Sequence, residues 1–427
     1  MGSRGKPRLM SHRRPGVRSL SARCLLAAVV AACSSGPTSS TPSGPASLVV
    51  SGLPSSVADG VPATLMVTAK DASGNAAVGY TGTVHLTTTD SAAQVPPNYT
   101  FASADAGSHR FAVTFHTPGN QVVTATDTAT SSITGSQAVT VVQELYASNE
   151  ATSSVTTYPA GGAGNVTPSA AIIGSNTSLL QPFGIARNRA GLVYVANRGT
   201  DTITLYSAGA TGNAAPVAEI GGANTGISQA YGIALDATGR LYVANSATNS
   251  ITVYAAAATG NVTPMATIAG SNTGLHLPTG ITVDAAGSAI YVGNFSSITV
   301  YPGDATGNAT PTATIAGSNT GLSAPSGLAL DAAGRIYAAN INNYSVTVYA
   351  PGATGNATPM ATIAGSNTGL NSPSGIALDP AGRFLYVTNY GANTITVYAT
   401  GATGNVAPTA TIAGSNTGLH APGYITF

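Results

Sequence analysis

The stretch "LYVTNYGANTITVY", Leu385–Tyr398, decides the fold, because the chain writes nearly the same phrase six times. The others are "LYASN…VTTY", "VYVANRGTDTITLY", "LYVANSATNSITVY", "IYVGNFSSITVY" and "IYAANINNYSVTVY". In each, an apolar run ends in Asn, a short polar loop follows, and a second alternating run ends in Tyr. That pattern reads as two antiparallel strands joined by a hairpin loop. The first Tyr of the phrase falls at 146, 194, 242, 291, 337 and 386. A second marker, the Gly of "GI", "GL" or "GY", falls at 184, 232, 280, 327, 375 and 423, in steps of 48, 48, 47, 48 and 48.

A period in that range governs a whole architecture. The unit opening at Gly232 holds four strand-like runs, "GIALD", "RLYVAN", "SITVY" and "PMATIAG". Four antiparallel strands per period, repeated, predict an all-β ring of blades, a β-propeller. The two marker series are out of phase. The chain enters at strands two to four of a blade ("ELYASN", "SVTTY", "SAAIIG") and leaves on a first strand, "GYITF", Gly423–Phe427. Pairing those pieces gives six blades, closes the ring and removes an exposed sheet edge. An open solenoid would want polar caps, whereas this chain ends on an apolar strand with Tyr424, Ile425 and Phe427.

Before the repeat, residues 47–142 alternate apolar and polar residues in "SLVVSGL", "TLMVTAKDASGN", "GTVHLTTTD", "HRFAVTFHT", "QVVTATD" and "QAVTVV". About seven short strands in that span fit a β-sandwich. His85, His109 and His116 read as solvated strand or loop histidines rather than metal ligands.

The N-terminus reads as an address. Arg4, Lys6, Arg8, Arg13, Arg14, Arg18 and Arg23 precede the apolar run "CLLAAVVAA", Cys24–Ala32. That run is far short of the roughly 20 residues of a spanning helix and reads as an export signal. Residues 34–46, rich in Ser, Thr, Pro and Gly, form a flexible tether. Of the two cysteines, Cys24 lies in the signal and Cys33 at its end, so the exported chain has no disulfide. Seven of the 15 Lys and Arg lie in the signal, which leaves 8 against 14 Asp and Glu. With no basic cluster to neutralise phosphates, nucleic acid is excluded as a partner.

Three resemblances follow from these residues. "VAAC", Val30–Cys33, resembles the bacterial lipobox, which implies lipidation of Cys33 and residues 1–33 as a lipoprotein signal. Ser34 lacks the Asp that favours inner-membrane retention, so the anchor is expected in the outer membrane or at the cell surface. "DAGSHRFAVTF" and "VVTATDTATSSITG" resemble bacterial Ig-like, filamin- or invasin-like spacer domains. "YVTN" and "YVAN" with "GIALDxxGR" resemble the NHL and YVTN classes of bacterial propeller over 143–427, although a long third-to-fourth connection ("PGATGNATP") stretches the period.

The resemblance to propellers implies that the second-to-third and fourth-to-first loops share one face. That face would carry Glu150, Arg198, Asp201, His276, Phe295, Tyr344, Tyr390 and His420 as candidate binding residues. Neutral amides, hydroxyls and rings there suit a sugar or polar peptide, and loops on a rigid scaffold are where binding sits. The strand-end Asn149, Asn197, Asn245, Asn294, Asn340 and Asn389 read as structural, bonding local backbone. Asp236, Asp284, Asp331 and Asp379 read as turn residues on the opposite face. The leading expectation is a lipid-anchored surface protein with a non-catalytic binding propeller, no cofactor, and membrane contact through the lipid alone. The alternative is a lactonase of the sugar-lactonase type or a virginiamycin-lyase-like enzyme at the axis, with a divalent metal. A purely structural envelope protein is the third.

Overall fold

The computed structural model describes residues 44–427, which belong to one compact unit. Cys33, the export segment and nearly all of the tether lie outside the described residues.

Eight strands come first, where about seven were expected. Ser47–Ser51, Pro62–Lys70 and Ser108–Thr114 form a three-stranded sheet. Ser56–Ala58, Thr134–Val142, Gly119–Asp127, Thr83–Thr88 and Tyr99–Thr100 form a five-stranded one. The alternation seen in the sequence puts Leu65, Val67, Val113, Phe115, Val123 and Ala125 into one shared core, as half-buried strands require. The Tyr80 hydroxyl donates to the buried Asp127 carboxylate beneath it.

The histidines of this region depart from the sequence reading. Only His85 is exposed; His109 stacks on Tyr99 with ring centroids 3.7 Å apart, and the His116 Nδ1 lies 3.7 Å from Asp59 Oδ1. The short strand Tyr99–Thr100 covers the first ring and the Asp59 turn lies against the second, which strand spacing alone does not reveal.

From Glu144 onward the described residues form six four-stranded antiparallel sheets. In the second, Pro182–Arg187, Val193–Asn197, Thr202–Tyr206 and Ala218–Ile220 run from the inside outward. The middle strands are buried on both faces because the sheets stack on one another. One hydrophobic cluster joins Tyr194, Ile203 and Leu205 of the second sheet to Ile233, Val243 and Tyr254 of the third.

The sheets are arranged as a closed ring. Pro422–Thr426 is the inner strand of the first sheet, antiparallel to Glu144–Asn149 with Ile425 opposite Ala147. Inner-strand glycines let the strands converge. A Cβ at Gly184 would strike the backbone of Tyr231, and one at Gly232 that of Thr279. The same collision repeats from Gly280 to Ser326, Gly327 to Ser374 and Gly375 to Tyr424 and Gly423, while at Gly423 a Cβ would sit tightly against Ser148 and Phe183.

Further out, a buried third-strand Tyr donates to a loop carbonyl of the preceding sheet. Tyr254 bonds Thr225 at 2.7 Å, Tyr349 bonds Thr320 at 2.7 Å, and Tyr158 bonds Thr417 at 2.6 Å across the joint between first and last sheets. At the rim the long "ATGN" connection explains the stretched period. Its Asn side chain (in the first copy that of "GAGN") accepts the N–H of an Asn in the neighbouring "GSNT" or "GANT" loop, from Asn176 to Asn213 (2.7 Å) through to Asn416 to Asn165 (2.8 Å).

The sandwich meets the ring at Asp59. Its Oδ2 lies 3.1 Å from the Arg187 Nη1, and its carbonyl also accepts from Arg187. Gly60, with φ of 69°, leaves no room for a side chain beside that guanidinium.

Candidate functional site

The residue after each second-strand Asn donates its N–H to a fourth-to-first loop, as Glu150 does to Ala421, Arg198 to Gln181 and Tyr390 to Ser372. These loops therefore share one face. The Asn residues themselves are buried. Asn245 Nδ2 donates to Thr252 Oγ1 at 3.0 Å, while its Oδ1 accepts the Ser228 N–H at 3.1 Å. All six make the same pair of contacts, so their role is structural. Positive φ falls four residues further on, at the loop residues Ser153, Asp201, Asn249, Tyr344 and Asn393.

At the axis, repeat-breaking aromatics flank the glycines. Tyr424 is fully enclosed, and its hydroxyl bridges the carbonyls of Thr279 (2.9 Å) and Ser326, on the far side of the ring. Burial holds its phenol well above the ordinary value. The Phe183 ring packs 5.5 Å from Tyr424 and 4.9 Å from Tyr231, centroid to centroid, with Tyr390 6.5 Å away. The Arg198 guanidinium lies 4.9 Å from the Tyr231 centroid and 5.4 Å from that of Phe183, within cation–π reach. It donates to the Tyr231 hydroxyl at 2.7 Å and pairs with Glu150.

The Glu150 side chain is 10% exposed, and its Oε2 is buried without a hydrogen-bond partner. The Tyr390 phenol lies beside this carboxylate. Burial first, and then the Glu150 charge, push the Tyr390 phenol up.

Of the residues singled out from sequence, the structure gathers Glu150, Arg198 and Tyr390. Phe183, Tyr231 and Tyr424 were missed. Their signal was available: beside the repeated Gly, where other copies place Thr, Ser, Ile or Leu, these carry aromatic rings.

Asp201 is a brace, accepting the Gln229 N–H at 2.6 Å as Asn249 and Asn393 do for Leu277 and Ala421. Tyr344 and Phe295 are about half exposed, at 49% and 51%. Phe295 meets His276 edge to face at 5.9 Å. His276 and His420 occupy equivalent loops three sheets apart. Among the described residues no group of three His, Cys, Asp or Glu could hold a metal ion.

The acidic turns sit at the other strand ends. Burial would push Asp236 up, but hydrogen bonds from Thr238 and Arg240 outweigh it and hold the carboxyl below its ordinary value.

Six stacked four-stranded sheets around a filled axis leave one assignment for this part of the chain. The fold is that of a β-propeller. A family described as "Lactonase, 7-bladed beta-propeller" matches residues 305–422, less than a third of the chain. Its seven blades differ from the six expected from the repeat; the described residues hold six four-stranded sheets.

No curated protein matches the chain. Among solved structures, it is similar to a chain of a nidogen/laminin complex (17% identity, TM-score 0.47, 66% of this propeller chain and 97% of that one). It is similar to a streptogramin B lyase (15%, 0.41, 55% and 70%). A functionally unknown protein from Desulfotomaculum acetoxidans DSM 771 also matches (13%, 0.44, 66% and 98%). No described helix is long and apolar enough to cross a membrane.

Proposed function

We propose that the chain is a lipid-anchored envelope protein in which an Ig-like spacer presents a six-bladed propeller as a binding module. Its ligand is a neutral polar molecule, a saccharide or polar peptide, taken at the axial mouth. One observation carries this reading: Tyr390 and Tyr231, both half-buried, converge with Phe183 on the Arg198–Glu150 pair. Aromatic faces with polar edges stack on sugar rings and peptide planes, and a few fixed polar groups orient the ligand. Tyr424 fills the channel behind them, so the ligand rests at the mouth.

A glycan and peptide array with the exported chain tests the reading. Wild type is expected to bind a neutral saccharide or peptide, and Tyr390→Ala to weaken binding by about tenfold. Binding equal in the two proteins, or no binding by wild type, overturns it. The second reading is lactone hydrolysis, favoured by the family match over 305–422. Lactone turnover that appears with added divalent metal and is lost in Glu150→Gln would replace the first reading with it. The lipid anchor is tested separately: radiolabelled palmitate should enter the wild-type chain and not Cys33→Ala.

A further inference from the structure

A cavity lies at the end of the ring opposite the axial mouth, where the sandwich meets the ring. This cleft, of about 810 Å³, is lined by Asp59, Gln94 and His116 from the sandwich and by Arg187, Arg189 and Phe427 from the ring. We propose that it binds an acidic saccharide through its carboxylate.

The Arg187 side chain is 6% exposed. Two of its nitrogens are held by Asp59, the Tyr146 ring lies 5.5 Å from its Cζ, and its Nε is buried without a hydrogen-bond partner. A guanidinium fixed in this way presents a preset cation to a charged acceptor in the cleft. Arg189, two residues on, is exposed and makes no ion pair among the described residues. Among the acidic and guanidinium side chains of the lining, Arg187 and Arg189 stand against Asp59 alone. That matches one carboxylate, whereas a doubly charged phosphate would crowd Asp59. Glu144, the other acid facing Arg187, is buried and bonded by Ser169 at 2.9 Å.

The remaining lining suits a sugar body. Gln94 and Gln143 offer amides for hydroxyls, and Phe427 and Pro380 offer apolar faces. The volume falls inside the usual range for small-molecule sites, roughly 300–1,000 Å³. The site is distinct from the axial mouth and does not depend on it.

The test is calorimetric titration of the whole exported chain with galacturonate and trigalacturonate, against galactose and inorganic phosphate. The uronates are expected to bind and the other two to fail at about 10 mM. Arg189→Ala, at an exposed position, should keep its melting temperature and weaken uronate binding about tenfold. Tyr390→Ala should leave it unchanged, which separates this site from the axial one. Tighter binding of the trimer would point to a polymer as the source, and equal binding to the free acid; either supports the proposal. No uronate binding, equal binding of galactose or phosphate, or indifference to Arg189→Ala overturns it.

Discussion

At the scale of single residues, the axis is where this chain departs most from its own repeat. Copies of the inner strand place Ile or Leu after the Gly, and the last places Tyr424. Its phenol is the polar group that reaches the carbonyls of Thr279 and Ser326 in the enclosed centre. Tyr424→Phe removes that donor and leaves two carbonyls short of a partner, at a cost of about 1–2 kcal/mol. A lowered urea midpoint with an unchanged slope is the expected result. An unshifted midpoint would mean that water already serves those carbonyls. The aromatic cluster is present in the sequence as a break in pattern, but beside the repeated Gly of the inner strand and not in the loops that carry the other candidates. Charge marks a site when it is gathered, and Asp201, His276 and His420 are not: Asp201 braces the neighbouring loop at Gln229, and the two histidines lie three sheets apart.

At the scale of elements, the first three strands of a sheet were legible because apolar alternation and Gly or Asn punctuation agree, whereas the fourth, read as "PMATIAG", is only Ala266–Ile268. The predicted "SITVY" is the strand Ser250–Tyr254. The loops were less legible, because their bonds go to a neighbouring sheet and leave no local signature. The "ATGN" connection, which stretches the period, is also a clasp between sheets. The clasps give a test of closure. Asn165 accepts from Asn416, 251 residues away, and Asn356 accepts from Asn319. In a closed ring both side chains bear on the same kind of joint. Asn165→Ala and Asn356→Ala are therefore expected to lower stability alike, each by about 0.5–1 kcal/mol. Thermal unfolding compares them directly, and a silent Asn165→Ala beside a costly Asn356→Ala would speak for an open array.

At the scale of the whole molecule, stability rests on cores shared between sheets, each lined by buried phenols. Burial pushes Tyr158, Tyr206, Tyr254, Tyr349 and Tyr398 up to about 12. In the unfolded chain such groups titrate near 10, an approximate model value. Between about pH 10 and 12 the unfolded chain therefore releases protons that the folded chain retains, and stability, complete below that window, falls as pH rises through it. Phenolate absorbance and loss of circular dichroism are expected to advance together in one step. Phenolate formation complete before the fold is lost would show that water reaches these rings. The ring itself was readable from the offset between two marker series; the docking of sandwich on ring was not, because Arg187 and Asp59 lie 128 positions apart with nothing in either neighbourhood to pair them.

Contacts at the rim are the same at every joint and would serve an annulus of any circumference. The phenol of Tyr424 has one fixed length, and it works as a caliper across the bore. A chain carrying one more copy would keep each outer clasp yet move the two opposing oxygens beyond the grasp of a single side chain, so duplication of a module would have to be matched by a change at this one position.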